Sequence, residues 1–464
     1  MSRVLHRGQI LHFLDDPSTG EVENLGGSER NGSNEVNGSY AFFADGGLLV
    51  DDGCVIAIGE ASQLLSSLPD DTVIKEHADA LLVPGFIDTH IHYPQLDIIG
   101  AHGEQLLEWL DKYVFPTEAQ FGDFHHAQRV AKRFLTELLR NGTTTALVFG
   151  TVHPESVDAF FTEAESLNLR MIAGKVMMDR NAPDFLTDTA ESSYSESKQL
   201  IEQWHNRGRL RYAVTPRFAP TSTPEQLKAA GKLLREHPDV YLHTHMSENL
   251  NEIAWVEELF PHLDHYLHSY DDAGLLGRRS VFAHCVHLSE TEWQRMAETQ
   301  SNIAFCPTSN LFLGSGLFPL SKAESCGVHV GLGTDIGAGT SFSLLETMDE
   351  AYKIQQLQGH SLTPFKSFYL ATLGGARTLD LEDKLGNFLP GKEADFLVLD
   401  LAATPLIKDR IARCKDLFET LFVLSTLGDD RCVRETWIMG KCMYQRDAGE
   451  NRVFDTHKTK STTS

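Results

Sequence analysis

Apolar runs of about four to eight residues alternate with longer stretches of helical periodicity through the middle of the chain, which is the pattern of parallel β-α units. Eight runs read as strands: Phe86 to His92, Thr143 to Gly150, Met171 to Met178, Arg211 to Arg217, Val240 to Met246, Ser280 to His287, Asn302 to Pro307 and Val328 to Asp335. Eight is the number that closes a barrel, and a span of about 300 residues suits one with insertions. The two ends of the chain read differently. Leu48-Leu49-Val50, Asp51-Asp52-Gly53 and Cys54 to Ile58 predict a β-hairpin with an Asp-Gly turn, and a second β-rich region covers Asp395 to Asp400 and Thr436 to Tyr444. The expected fold class is therefore α/β: a (β/α)8 barrel of the TIM type over residues 84–384, with a small β-sandwich composed of both chain ends, 1–83 and 385–455. Residues 18–40, rich in Gly, Ser, Asn and Glu, predict a flexible surface insertion. The polar stretch 456–464 predicts a disordered tail.

Polar residues gather where these strands end. In Pro84-Gly85-Phe86-Ile87-Asp88-Thr89-His90-Ile91-His92, alternation along a strand points His90 and His92 the same way. Two imidazoles so placed can occupy two corners of a zinc site and leave room for a water. His243-Thr244-His245-Met246-Ser247-Glu248 ends the fifth strand, where His245 is expected as the third nitrogen ligand. His243 lies deeper, as a hydrogen-bonded support or a satisfied core residue. Glu248, in the following turn, sits where a carboxylate could shuttle protons between a metal-bound water and a substrate; its bland alternative is a solvated loop charge. His284 ends the sixth strand and either ligates directly or, as preferred here, donates a hydrogen bond to the attacking water. Asp335 ends the eighth, where it could bind the metal and accept a proton from its water, with a helix N-cap as the alternative. Arg217, His90, His92, His245, Glu248, His284 and Asp335 thus all lie at or just beyond carboxyl ends of strands, where barrel enzymes carry their chemistry.

Composition narrows the partners. The chain has 464 residues, 41% hydrophobic and 23% charged, values of a soluble globular protein. Its net charge of −25 argues against nucleic acid or an anionic membrane as main partner and is easier to reconcile with a small neutral substrate. No apolar stretch approaches the ~20 residues that cross a bilayer, and a cytoplasmic location is expected. Seven scattered cysteines with no Cys-x-x-Cys pair predict reduced, mostly buried thiols. Asn31, Asn37 and Asn141 match a glycosylation triplet, but turns are the preferred reading. His153-Pro154-Glu155 matches half of the His-x-Glu and Pro-Cys-x-x-Cys deaminase pattern, and the other half is missing.

The order of these residues resembles the amidohydrolase superfamily: His-x-His after strand one, His on strands five and six, Asp on strand eight. Leu385-Gly386-Asn387-Phe388-Leu389-Pro390-Gly391-Lys392-Glu393-Ala394-Asp395 looks like that superfamily's re-entry into its terminal sandwich. Many members bridge two metals with a carboxylated lysine on strand four. Here Arg217 occupies that strand and Lys175 falls on strand three, so one metal is expected, as in the deaminase branch. Within it, the segments Pro84-Gly85-Phe86-Ile87-Asp88-Thr89-His90-Ile91-His92-Tyr93-Pro94-Gln95, Leu107-Glu108-Trp109-Leu110, Thr215-Pro216-Arg217-Phe218, Ser247-Glu248-Asn249 and Cys306-Pro307-Thr308-Ser309-Asn310-Leu311 are similar to the guanine deaminase family. The insertion at 18–40 departs from that family's pattern.

The resemblance implies one zinc per subunit, with iron and manganese as alternatives, held by His90, His92, His245 and Asp335. It implies catalysis by Glu248, Asp335 and His284, and purine binding by Gln95, Arg217 and Phe218, with His92 and Glu248 beside the ring. The chemistry agrees: an amide donor and acceptor, a planar guanidinium fork and an apolar ring face suit a purine. A solvated Gln95 and a structural ion pair at Arg217 are the bland alternatives. The implied reaction is hydrolysis of guanine to xanthine and ammonia by a homodimer. A deaminase or chlorohydrolase for another heterocycle, such as 8-oxoguanine or a triazine, is the alternative, and a catalytically silent scaffold is a third reading.

Overall fold

A computed structural model describes residues 3–17, 35–69, 71–102 and 106–447 of the chain. Five strands of another sheet, β1 (Val4–Phe13), β2 (Glu35–Val36), β3 (Tyr40–Asp51), β4 (Cys54–Glu60) and β5 (Val73–Pro84), precede the eight expected barrel strands: β6 (Phe86–His92), β7 (Thr143–Phe149), β8 (Arg170–Gly174) with the short β9 (Val176–Met177), β10 (Arg211–Pro216), β11 (Tyr241–Met246), β12 (Ser280–His284), β13 (Asn302–Phe305) and β14 (Val330–Leu332). Neighbours pair in parallel in sequence order from β6 to β14. The seam between first and last strands is bridged by Asp335 N donating to His90 O at 2.9 Å and Thr89 Oγ1 donating to Leu332 O at 2.9 Å. β6, β7 and β8 are buried along their whole length, as strands covered on both faces must be. Helices cover the outside. Phe124–Arg140, for example, is capped by the Asp123 carboxylate and buries Val130, Phe134, Leu135 and Leu138 on one stripe.

The strands are shorter than the apolar runs. β14 spans only Val330–Leu332 because the chain leaves pairing to carry Thr334 and Asp335 across to β6. The third run breaks at Lys175, whose backbone N bonds the Tyr212 hydroxyl instead of a neighbouring strand. The Lys175 ammonium pairs with Asp188 at 2.6 Å and Glu196 at 3.3 Å, outside the pocket described below.

Strands from both chain ends share the second sheet: β1 (Val4–Phe13), β2 (Glu35–Val36), β3 (Tyr40–Asp51), β4 (Cys54–Glu60) and β5 (Val73–Pro84), joined by β15 (Phe396–Asp400), β16 (Val433–Ile438) and β17 (Lys441–Gln445). The join is β5 against β15, where Pro84 faces Phe396 and Ala80 faces Asp400. β3 and β4 make the expected hairpin, with Asp52 and Gly53 both at positive φ in its turn. Of the segment 18–40, residues 18–34 lie outside the described residues. Its end departs from the expected flexibility, since Glu35–Val36 pairs with β3 and Tyr40 already begins that strand. The tail 456–464 and Asn31 also lie outside the described residues. Asn37 turns the chain by accepting from Ser39 N and Tyr40 N, and Asn141 ends a helix. All seven cysteines are free, three of them buried. Among the described residues no helix is long and apolar enough to cross a membrane.

Candidate active site

The carboxyl ends of β6, β11, β12 and β14 bring His90, His92, His245, His284, Glu248 and Asp335 around one pocket. His90 Nε2 and His92 Nε2 lie 3.2 and 3.4 Å from Asp335 Oδ1, and His92 Nε2 lies 3.2 Å from His245 Nε2. His90, His92 and His245, and likewise His90, His284 and Asp335, offer donor atoms within 4.8 Å of one another. Backbone conformation aims several of these groups. Ser247, His284, Cys285 and Asp335 all take positive φ, between 50 and 72°, a region that non-glycine residues enter at a cost of about 1–3 kcal/mol and that clusters at functional sites.

The donor set fits a metal on chemical grounds. His245 Nδ1 lies 2.7 Å from the carbonyl oxygen of Arg217, which can only accept, so Nδ1 carries the proton and Nε2 turns a lone pair inward. His90 Nδ1 is likewise engaged, 2.7 Å from His243 Nε2, while its buried Nε2 faces the Asp335 carboxylate. Burial, with the neighbouring rings and Arg217, holds the pKa values of His92 and His245 well below the usual histidine value, so both imidazoles are neutral. For Asp335 burial acts upward, but His90 and His284 outweigh it and hold the carboxyl below its ordinary range. Glu248 is the opposite case: burial, then the Asp335 charge, push it well above the ordinary value. Ser315 Oγ donates to Glu248 Oε1 at 2.8 Å, and His284 Nε2 stands 3.5 Å from Glu248 Oε2.

The same pocket is lined by Gln95, Arg217 and Phe218, with Trp109, Leu110, Leu313 and Ala338 supplying apolar wall. Every residue expected at the site from the sequence therefore lines it except His90, whose Nε2 lies 3.2 Å from the Asp335 carboxylate that does. His243 sits one layer deeper, against His90. Several contributors escaped the sequence reading. Asp88, fully buried, accepts from His90 N, Thr334 N and Thr334 Oγ1 and so ties β6 to the loop that carries Asp335. Burial, chiefly, pushes its pKa up to about 7. Glu252 accepts from the backbone N of Glu248 and of Asn249 and from the Tyr266 hydroxyl, holding the Glu248 turn. Asn310 meets His284, and Glu118 bridges Gln95 and Arg217. Asp88, Asn310 and Trp109 stood inside the family-like segments, so the signal was present without a role attached. Glu118 had no such signal.

Residues 81–443 match the Amidohydrolase family model. The chain is 57% identical over 413 residues to guanine deaminase of Escherichia coli (strain K12), covering 89% of this chain and 94% of that protein. Its fold matches the structure of E. coli guanine deaminase with a TM-score of 0.91 and 53% identity, over 96% of this chain and 100% of that one. It also matches guanine deaminase from C. acetobutylicum, solved with guanine bound in the active site, with a TM-score of 0.83 and 29% identity, over 96% of this chain and 100% of that one. The chain belongs to the amidohydrolase family. Within that family it groups with the guanine deaminases.

Proposed function

We infer that the chain is a metal-dependent hydrolase that converts guanine to xanthine and ammonia, and we propose zinc, one ion per subunit, as the metal. The observation that carries the reading is that one pocket joins the His/Asp donor set and Glu248 to Gln95, Arg217 and Phe218. The identity to guanine deaminases favours guanine over the other heterocycles, and an intact donor set with Glu248 disfavours a silent scaffold.

His90, His92, His245 and Asp335 would hold the ion, which when bound supplies a water acidified from ~15.7 toward ~7. Gln95 and Arg217 would hold the purine by its edge while Phe218 covers a ring face and His92 borders it. Glu248 Oε2, free of the Ser315 hydrogen bond, carries a proton to the ring nitrogen beside the amino-bearing carbon and assists departure of ammonia. Its pKa, raised by burial and then by the Asp335 charge, supports that role. Asp335, held anionic, receives the proton of the attacking water. Asn310 Nδ2 donates to His284 Nδ1 at 3.0 Å, which leaves the ring proton on Nε2. That supports hydrogen bonding to the developing oxyanion rather than direct ligation.

The test is ammonia release by metal-analysed protein offered guanine, 8-oxoguanine, adenine, cytosine and a chlorinated triazine. Guanine is expected to dominate; a zinc-loaded protein that turns over another ring faster would discard the substrate and keep the metal site. We also propose a cytoplasmic homodimer whose catalytic domain is residues 84–384, flanked by the two halves of the sandwich. Sedimentation at the mass of one chain would sink the dimer.

A further inference from the structure

Glu118 is fully buried at the end of the short helix Phe115–Glu118, bonded to two residues that line the pocket. Its Oε1 accepts from Gln95 Nε2 at 3.2 Å and its Oε2 from Arg217 Nη1 at 2.8 Å. An ionised carboxylate only accepts and a guanidinium only donates. The Gln95 amide facing Glu118 must therefore present its nitrogen to it, which leaves the carbonyl Oε1 as the group for the pocket. Gly337 keeps space for that oxygen: at φ +120° it has a conformation suited to glycine, and a Cβ there would stand 1.9 Å from Gln95 Oε1. The Arg217 guanidinium also lies over the Phe115 ring, 5.6 Å from its centroid, so the helix that carries Glu118 holds Arg217 at two points.

We propose that Glu118 is the positioning residue that sets the polarity of the substrate-binding edge, by turning the Gln95 carbonyl and the remaining Arg217 donors toward the substrate. The inference rests on the reading of this pocket as a purine site. An acceptor beside a donor matches an edge on which a ring N–H stands next to a carbonyl. Guanine has that edge at N1 and C6, adjacent to the amino-bearing carbon. 2-Aminopurine carries the same amino group but has an unprotonated N1 and no carbonyl, so Gln95 Oε1 meets a lone pair instead of a proton.

Glu118→Gln should therefore reverse the polarity of this edge rather than merely remove a contact. The new amide has one oxygen, which Arg217 claims, so its nitrogen faces Gln95. Gln95 must then turn its own oxygen toward residue 118 and its N–H toward the substrate. With zinc content unchanged, KM for guanine is expected to rise at least tenfold with kcat within about threefold. The ratio of kcat/KM for guanine to that for 2-aminopurine should fall at least tenfold. A parallel fall for both substrates in a zinc-replete variant would overturn the proposal, because a merely structural residue would move both alike.

The double variant Gln95→Glu with Glu118→Gln provides the second arm. It keeps one carboxylate and satisfies every donor of the triad, with an acceptor again facing the substrate. The wild-type preference for guanine over 2-aminopurine should be retained within about threefold, and loss of that preference in the folded double variant would overturn the assignment. Wild-type protein is the control for the underlying reading. If it fails to turn over guanine at all, the purine assignment fails independently of Glu118.

Discussion

At the scale of single residues, the site is built from hydrogen bonds that orient its rings, and for His245 the Arg217 carbonyl also decides which nitrogen carries the proton. His245 is oriented by the Arg217 carbonyl and His90 by His243, each at 2.7 Å, so ligand quality depends on groups that touch no substrate. Replacing the outer partner of a metal-binding histidine typically costs ~10–100-fold in metal affinity. His243→Leu is expected to weaken zinc binding by that factor in a competition titration against a chromophoric chelator, and an unchanged affinity would reduce His243 to core packing. Glu248 is separated from the ligands by role. Glu248→Gln should retain zinc and lower kcat by ~10²–10⁴, the range for a lost general acid or base. Loss of zinc to the same extent as activity would remove the proton-transfer role.

Among elements, the sheet formed by both chain ends carries a buried polar cluster with a consequence for acid stability. His6 on β1 lies 3.0 Å from His77 on β5, His77 lies 4.0 Å from Glu435 on β16, and Lys75 closes on Glu435 at 2.9 Å. Burial, followed by the neighbouring His77 and Lys75, lowers His6 to about 3; burial lowers His77 to about 4 against the opposing charge of Glu435; and burial with Lys392 lowers His12 to about 4. The unfolded chain takes up these protons near 6.5, whereas the folded sheet refuses them until well below that value. Stability from this cluster is therefore complete above pH ~6.5 and declines as pH falls toward 4. The melting temperature should be flat from pH 8 to 7 and decline below 6.5, less steeply in His77→Gln. A wild-type profile level down to pH 4.5 would contradict this account. The hairpin of β3 and β4 shows the reverse case, in which local sequence sufficed. Asp52-Gly53 supplies two residues tolerant of positive φ, and the turn forms where the dipeptide stands.

For the molecule as a whole, the two sheets are joined by a buried ionic clamp. Arg170, at the start of β8, and Arg209, just before β10, both pair with Glu393, and Arg209 also pairs with Asp395, next to β15. Removing one partner from such a network strands the others, at a cost of ~3–5 kcal/mol. Arg209→Met should lower the urea midpoint accordingly, and a shift equivalent to less than about 1 kcal/mol would mean that the clamp adds little. Metal should also link distant parts of the chain, since the donors proposed for it come from β6, β11 and the loop after β14. Chelation is expected to lower the melting temperature and zinc to restore it, because a ligand at 100 times its Kd adds ~2.7 kcal/mol to the native state. The sequence alone determined the order of the eight barrel strands, the partnership of the chain ends and the residues at the strand ends that line the pocket. Apolar runs, turn dipeptides and strand alternation are local and can be read from neighbours along the chain. Only the tertiary structure decided which of those side chains meet. Asp88 and Thr334 are 246 residues apart, and Glu118 and Arg217 are 99 apart, yet each pair is hydrogen-bonded. Barrel closure sets those distances, and no periodicity records them. The polarity of Gln95, the tautomer of His245 and the anionic state of Asp335 follow from these long-range contacts, because protons settle according to the neighbours that folding provides.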